Sequence, residues 1–218
     1  MMGSPLTSDI ASRIRIRRAR VEDAAVLSEF AERIFRETFE ASNDPADMAS
    51  YLAEAFGVDR QQEEITEPGA TVLLAEDIAG AEDVAGTEVI VGSNAANPVN
   101  AADPTNAANR ANAAASLAGY SHLTQSEWPA CVHGAAPLEL KRFYIDRVWQ
   151  GTGLAQMLMR ATFDAALAAG ARTVWLGVWE HNPRAIAFYR KFAFVEVGAH
   201  DFMLGRDRQT DIIMARPA

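Results

Sequence analysis

Leu138-Glu139-Leu140-Lys141-Arg142-Phe143-Tyr144-Ile145, followed after a short turn by Gln150-Gly151-Thr152-Gly153-Leu154-Ala155, is the stretch that decides the fold. The first eight residues read as a strand. From Leu154 onward the apolar positions Leu154, Met157, Leu158, Ala161, Phe163 and Leu167 read as a helix, and Gly170 suits its C-terminal cap. A strand, a glycine turn and a helix therefore follow one another. Glycines let the backbone approach a ligand without obstruction by Cβ. The first helical N–H groups are unpaired and the helix dipole adds partial positive charge, so such a turn can bind a pyrophosphate. The same residues also suit a plain tight turn. No Lys-Ser/Thr follows the glycines as in a Walker loop, and the three-glycine dinucleotide pattern is absent.

Downstream, Thr173-Val174-Trp175-Leu176-Gly177-Val178-Trp179 is a strand. Asn182-Pro183 opens a helix carrying Ala185, Ile186, Phe188 and Tyr189, with Pro183 in its first turn. Residues 194–198 and 210–214 close the chain as two strands around a polar loop. Upstream, Ile14 and Ile16 alternate with arginines as a first strand. A helix from Val21-Glu22-Asp23 carries Val26, Leu27, Phe30, Ile34 and Phe35 on one face. A second, after Asn43-Asp44-Pro45, carries Met48, Tyr51, Leu52 and Phe56. Pro68-Gly69 is a turn, and residues 71–75 and 117–123 are strands. The order β-α-α-β-β-β-α-β-α-β-β predicts an α/β protein with a mixed sheet flanked by helices.

Residues 13–216 are expected to form one domain after a flexible tail, residues 1–12. An Ala/Asn-rich insertion spans about residues 80–116 and is nearly pure Ala and Asn from Asn94 to Ala115. It has few large apolar groups to offset its ordering entropy, so it reads as a flexible loop within a strand connection.

With 218 residues the chain is long enough for one sizeable core. A net charge of −9 disfavours nucleic acid and mildly favours cationic partners, though acidic charge also simply keeps a protein in solution. Cys131 is the only cysteine, so no intramolecular disulfide forms; it reads as a small buried or loop residue. No secretory leader and no apolar run of about 20 residues is present, which predicts a cytoplasmic protein with no membrane association. His122, His133, His181 and His200 lack metal-ligand spacing, so they read as loop or surface residues and no metal is expected.

The pattern Gln150-x-x-Gly153-x-Ala155, ahead of Asn182-x-x-Ala185-x-x-Phe188-Tyr189, resembles the GNAT superfamily of acyl-CoA-dependent N-acetyltransferases. More narrowly, Glu37-Thr38-Phe39, Leu138-Glu139-Leu140, Trp175-Leu176-Gly177-Val178-Trp179-Glu180, Ala185-Ile186-Ala187-Phe188-Tyr189 and Gln209-Thr210-Asp211 look like the PaiA-type polyamine N-acetyltransferases. The resemblance covers about residues 14–80 and 117–214. The insertion departs from it, and so does Ala193, which stands where the family usually has Gly; the latter is a small change expected to leave the site unaffected.

The resemblance implies the GNAT fold and acetyl-CoA as co-substrate. It implies that Gln150, Gly151, Thr152, Gly153, Leu154 and Ala155 bind the CoA pyrophosphate through main-chain N–H groups. It implies that Phe143, Tyr144 and Ile145 pair with the pantetheine arm, and that Asn182 contacts CoA where it would otherwise only cap its helix. A free amine has a pKa near ~10 and must lose a proton before it attacks a thioester. Glu139 matches the base of some family members, acting through water; otherwise it is a solvated glutamate or a partner of Lys141. The developing oxyanion needs a donor, for which a backbone N–H near Phe143, Tyr144 or Ile145 is the candidate. Tyr189 matches the family's general acid for the departing thiolate; otherwise it is a core aromatic beside Phe188. As an acid it would give the rate a high-pH limb. Glu37, Phe39 and Tyr51 suit an ammonium, and equally suit core or surface roles. Trp175 and Trp179 share a strand face and read as packing residues.

The expected acceptor is a primary amine, first a polyamine or other small amine. The alternatives are a protein N-terminus or lysine, or a non-catalytic CoA-binding regulatory domain. A homodimer is compatible with the resemblance, and no stretch of sequence marks an interface.

Overall fold

The computed structural model describes residues 10, 12–79 and 116–218. Most of the expected tail and nearly all of the expected insertion lie outside the described residues. Ile10 is helical and buried among Ile14, Leu73, Leu154 and Leu158, so the domain begins before residue 13.

The elements are β1 (Ile14–Arg18), α1 (Ala24–Phe39), α2 (Pro45–Phe56), α3 (Val58–Thr66), β2 (Thr71–Asp77), β3 (Ser116–Thr124), β4 (Pro137–Ile145), α4 (Leu154–Ala168), β5 (Thr173–Trp179), α5 (Pro183–Lys191), β6 (Val195–Leu204) and β7 (Asp207–Pro217). The seven strands form one mixed sheet in the order β1-β2-β3-β4-β5-β7-β6. Every neighbouring pair is antiparallel except β4 and β5.

Helices cover both faces. On one, Leu138, Leu140 and Leu176 pack with Met159 and Ala166 of α4 and with Ile186 and Tyr189 of α5. On the other, Phe30, Ile34 and Phe35 of α1 and Met48, Leu52 and Phe56 of α2 pack on Leu74 and Tyr120. Each such side chain, taken fully out of water, contributes roughly 1.5–3 kcal/mol before entropy is counted. The helix cap expected at Gly170 forms: its φ is +84°, its N–H bonds Leu167 O at 2.9 Å, and the Ala171 N–H bonds Ala166 O at 3.0 Å.

Three features differ from the expectation. Helix α3 is additional; its buried residues are Gln61 and Glu64, so apolar periodicity was silent there. Glu64 instead binds the guanidinium of Arg142, with Arg60 at 3.2 Å and Lys141 at 3.5 Å. His122 is not a surface residue: it is buried on β3 with Nδ1 3.6 Å from Glu64. Burial, then the nearby Arg142, Lys141 and Arg60, push its pKa down to about 3, so it is neutral at pH 7. Finally, β6 and β7 are long strands closed by a tight turn at Gly205-Arg206, not short ones around a polar loop. As the edge strand, β6 has one neighbour, and its polar residues face water without cost to the ladder.

Candidate active site

The site begins where the sheet comes apart. β4 and β5 pair only through Pro137 with Thr173, Leu138 with Val174, and Glu139 with Trp175. Beyond these the strands diverge, and β4 from Leu140 to Ile145 has no strand partner on its β5 side among the described residues. A bulge adds to the divergence. His122 pairs with Arg142 and Leu123 with Leu140, which leaves Lys141 as the extra residue. Bulges re-aim the side chains that follow them. Here they send Arg142 towards Glu64 of α3 while Ile145 joins the core under α4. The gap opens into a cleft of about 700 Å³ that reaches both faces of the sheet.

At one end lies the glycine turn. Gly151 and Gly153 have φ of +83° and +103°, and space beside both is open. Such φ values favour glycine strongly. Gly153 caps α4 with no side-chain partner, and no described residue accepts from the N–H of Gly151 or Gly153. Unpaired N–H donors at a helix start fit an anionic group. The Gln150 side chain accepts from Arg184 at 2.6 Å. Gln150, Gly151 and Ala155 line the cleft, as do Phe143, Tyr144 and Ile145 along the free edge of β4. Thr152 and Gly153 do not line it; the Thr152 hydroxyl donates to Trp149 O at 2.7 Å. Leu154 is a core residue packed in the same cluster as Leu158, so its side chain does not reach a ligand, and its N–H donates to the Thr152 hydroxyl at 3.4 Å. Asn182 caps α5, its Oδ1 accepting from the Ala185 N–H at 3.1 Å, and it also lines the cleft.

Tyr189 and Glu139 stand in the middle, and both line the cleft. Tyr189 packs edge-on to Phe143 and Phe194, with ring centroids 6.5 and 5.7 Å away. Burial holds its phenol protonated well above the ordinary tyrosine range. It is thus both a core aromatic and a cleft residue, and its own ionisation brings no high-pH limb in the working range. Its carbonyl accepts from the Phe194 N–H at 3.2 Å across Ala193, whose φ is +62°. A residue with a Cβ is strained at that φ, a local backbone cost that glycine would not carry. Glu139 is the last residue of β4 paired to β5. Its expected alternative partner Lys141 lies instead 3.5 Å from Glu64, and no described residue pairs with Glu139.

The far end faces α1 and α2. Phe39 and Tyr51 line it, and Glu37 does not: Glu37 is exposed and paired with Arg33 at 3.2 Å. Trp175 is a packing residue against Val132, Ile213 and Ala215, as expected, whereas Trp179 lines the cleft 5.9 Å from the Phe39 ring. Sequence reasoning missed His200, Phe202, Gln209 and Asp211, which β6 and β7 add to this wall. Burial raises the Asp211 carboxyl to about 6, with His200 partly opposing the shift. A usable signal was present: Asp211 lies two residues before buried Ile213 and four before buried Ala215, on the same strand face.

The sequence pattern of the acetyltransferase (GNAT) family matches residues 31–194. The chain belongs to the GNAT family. An uncharacterised N-acetyltransferase of Lactobacillus delbrueckii subsp. lactis is 26% identical to it over 182 residues, covering 84% of each chain. A spermine/spermidine N(1)-acetyltransferase of Bacillus subtilis is 34% identical over 64 residues, covering 29% of this chain and 42% of that one. A PaiA N-acetyltransferase from Thermoplasma acidophilum, crystallised with coenzyme A, superposes with a TM-score of 0.60 at 18% identity, covering 94% and 99% of the two chains. The GNAT fold expected from sequence is thus present, and this GNAT protein is an acyl-CoA-dependent acyltransferase. Among the described residues no cluster of three or more His, Cys, Asp or Glu is arranged to hold a metal ion, and no helix is long and apolar enough to cross a membrane.

Proposed function

We propose that this GNAT enzyme acetylates the primary amine of a small cationic acceptor, with polyamines the first class to try. The observation that carries this is the closure of the acceptor end. The β6–β7 hairpin is tied to the region of α2 by three contacts: the Tyr51 and Phe202 rings at 5.5 Å, the Gln209 amide donating to Asn43 at 2.5 Å, and Arg206 paired with Asp47 at 3.0 Å. A peptide acceptor needs an open groove along which its backbone can lie. This wall leaves a pocket ringed by Phe39, Tyr51, Trp179 and Phe202 instead. The net charge of −9 and the named substrates of the B. subtilis relative point the same way.

Bound acetyl-CoA supplies the acetyl thioester. The open N–H groups of Gly151 and Gly153 suit its pyrophosphate, and the free edge of β4 suits its amide-bearing arm. Glu139, unpaired at the point of divergence, takes a proton from the amine through water in this reading. Tyr189, kept as the phenol by burial, holds the proton needed by the departing thiolate.

Thiol release from acetyl-CoA with spermidine, spermine, putrescine and short peptides carrying a free N-terminus or lysine tests this reading. The small amines are expected to exceed the peptides at least ~10-fold in kcat/KM. A preference for peptides would overturn the acceptor class. Acetyl-CoA binding without turnover of any amine would favour a regulatory role.

A further inference from the structure

We propose that Asp211 selects the acceptor by holding its amine as an ammonium ion at the aromatic end of the cleft. This rests on the amine-acetyltransferase reading above. Among the described residues no donor and no cation pairs with the Asp211 side chain. Asp47 is matched with Arg206, Glu64 with Arg142, Glu76 with Arg15 and Arg17, and Asp77 with Arg13, whereas of the carboxylates lining the cleft Glu139 and Asp211 have no such partner among the described residues. A carboxylate largely removed from water and left without a partner is costly unless a ligand supplies the counter-charge.

The surroundings keep the place open for one. A Cβ added at Gly177 would stand 3.0 Å from Asp211 Oδ2 and 3.2 Å from His200 Nε2. Glycine there leaves the carboxylate uncovered above the floor of β5. Phe39, Tyr51, Trp179 and Phe202 line the same end, and ring faces attract alkylammonium groups. The titratable and charged groups at this end are His200 on β6, Tyr51 on α2, and Glu139, Lys141 and Arg142 on β4. Lys141 and Arg142 share Glu64, and β5 contributes only Gly177, Val178 and Trp179. Among the described residues Asp211 is therefore the one unpaired carboxylate on the far wall, across the gap from Glu139. Without a ligand its carboxyl is raised to about 6 by burial; a bound ammonium ion would lower it again.

Asp211→Asn preserves shape and removes the charge. The KM for the amine is expected to rise about 10–100-fold, the range of a lost charge-assisted hydrogen bond, with kcat and acetyl-CoA affinity little changed. In the wild type the amine KM is expected to climb as pH falls through about 6, where Asp211 takes up a proton, and the Asn variant is expected to lack that limb. An unchanged amine KM in Asp211→Asn would overturn the assignment while leaving the acetyl-transfer reading intact. So would a limb that persists in the variant. A wild type that turns over no cationic amine would remove the acetyl-transfer reading, and this inference with it. Should the variant not fold, the wild type alone decides: an alkylamine is expected to bind at least ~10-fold more tightly than the alcohol of equal length, and equal binding would overturn the proposal.

Discussion

At the glycine-turn end of the cleft the groups proposed to bind are main-chain N–H donors from one short run of chain, those of Gly151 and Gly153 being open. At the proposed acceptor end the lining is of side chains drawn from five elements: Phe39 of α1, Tyr51 of α2, Trp179 of β5, His200 and Phe202 of β6, and Gln209 and Asp211 of β7. The first end needs only two residues with positive φ and a helix start, and it tolerates whatever side chains flank them. The second depends on the register of three strands and the docking of two helices. A glycine turn can thus hold the same anionic group in many enzymes, whereas the acceptor pocket can change with single substitutions. The two ends meet at Tyr189 and Glu139, and variants there and at each end test whether they are separable.

The largest effect is expected at the meeting point. Tyr189→Phe removes a hydroxyl and almost no volume, so kcat should fall ~10²-fold or more while calorimetric acetyl-CoA affinity holds. A large loss of acetyl-CoA affinity would show that the two ends are coupled. Because burial keeps the phenol protonated, the wild-type rate should show no decline from Tyr189 ionisation up to pH 10. Glu139→Gln should lower kcat by roughly 10–10²-fold, with partial recovery at high pH, where more of the amine is already free. Recovery absent at pH 9–10 would remove Glu139 as the base.

A purely cofactor-end change comes next. Gly153→Val forces a β-branched residue into φ +103°. It should weaken acetyl-CoA binding about 10-fold or more and cost about 1–3 kcal/mol of stability in denaturant titration. The amine KM at saturating acetyl-CoA should not move; if it does, the loop reaches further than its contacts indicate. The smallest effect concerns Ala193→Gly. Relief of φ +62° should raise stability by up to ~1 kcal/mol, with both ligand affinities unchanged.

The same contrast governs what could be read from sequence. The β5 boundaries, Thr173 and Trp179, were legible because a β-branched and aromatic run is bounded by turn residues. The glycine turn was legible because its backbone geometry, positive φ at Gly151 and Gly153 ahead of a helix, is local. Helix α3 was not, because Gln61 and Glu64 occupy its buried positions. Glu37 and Phe39 sit in one tripeptide motif, yet residues two apart on a helix point in nearly opposite directions. Phe39 therefore reaches the cleft and Glu37 meets solvent and Arg33. Gln209-Thr210-Asp211 stands out as a motif, and Thr210 and Asp211 fall in the expected closing strand 210–214, but two short strands around a polar loop leave Asp211 without a cross-strand neighbour. Only the long β6–β7 register sets His200 opposite Asp211 and brings both over Gly177.

The three residue pairs joining β4 to β5 divide the sheet mechanically. Four strands lie on one side and three on the other, and the seam between them is the shortest ladder of the sheet, three pairs against five between β1 and β2. A ligand whose amides bridge the gap would act as missing rungs. At 100 times its dissociation constant it would stabilise the native state by about 2.7 kcal/mol. That stabilisation would be concentrated at one line through the molecule. Amide hydrogen exchange should register it there, slowing along residues 140–145 when acetyl-CoA is added while β2 and β3 keep their rates. The enzyme would be at its stiffest when loaded and would loosen along that line each time CoA departs.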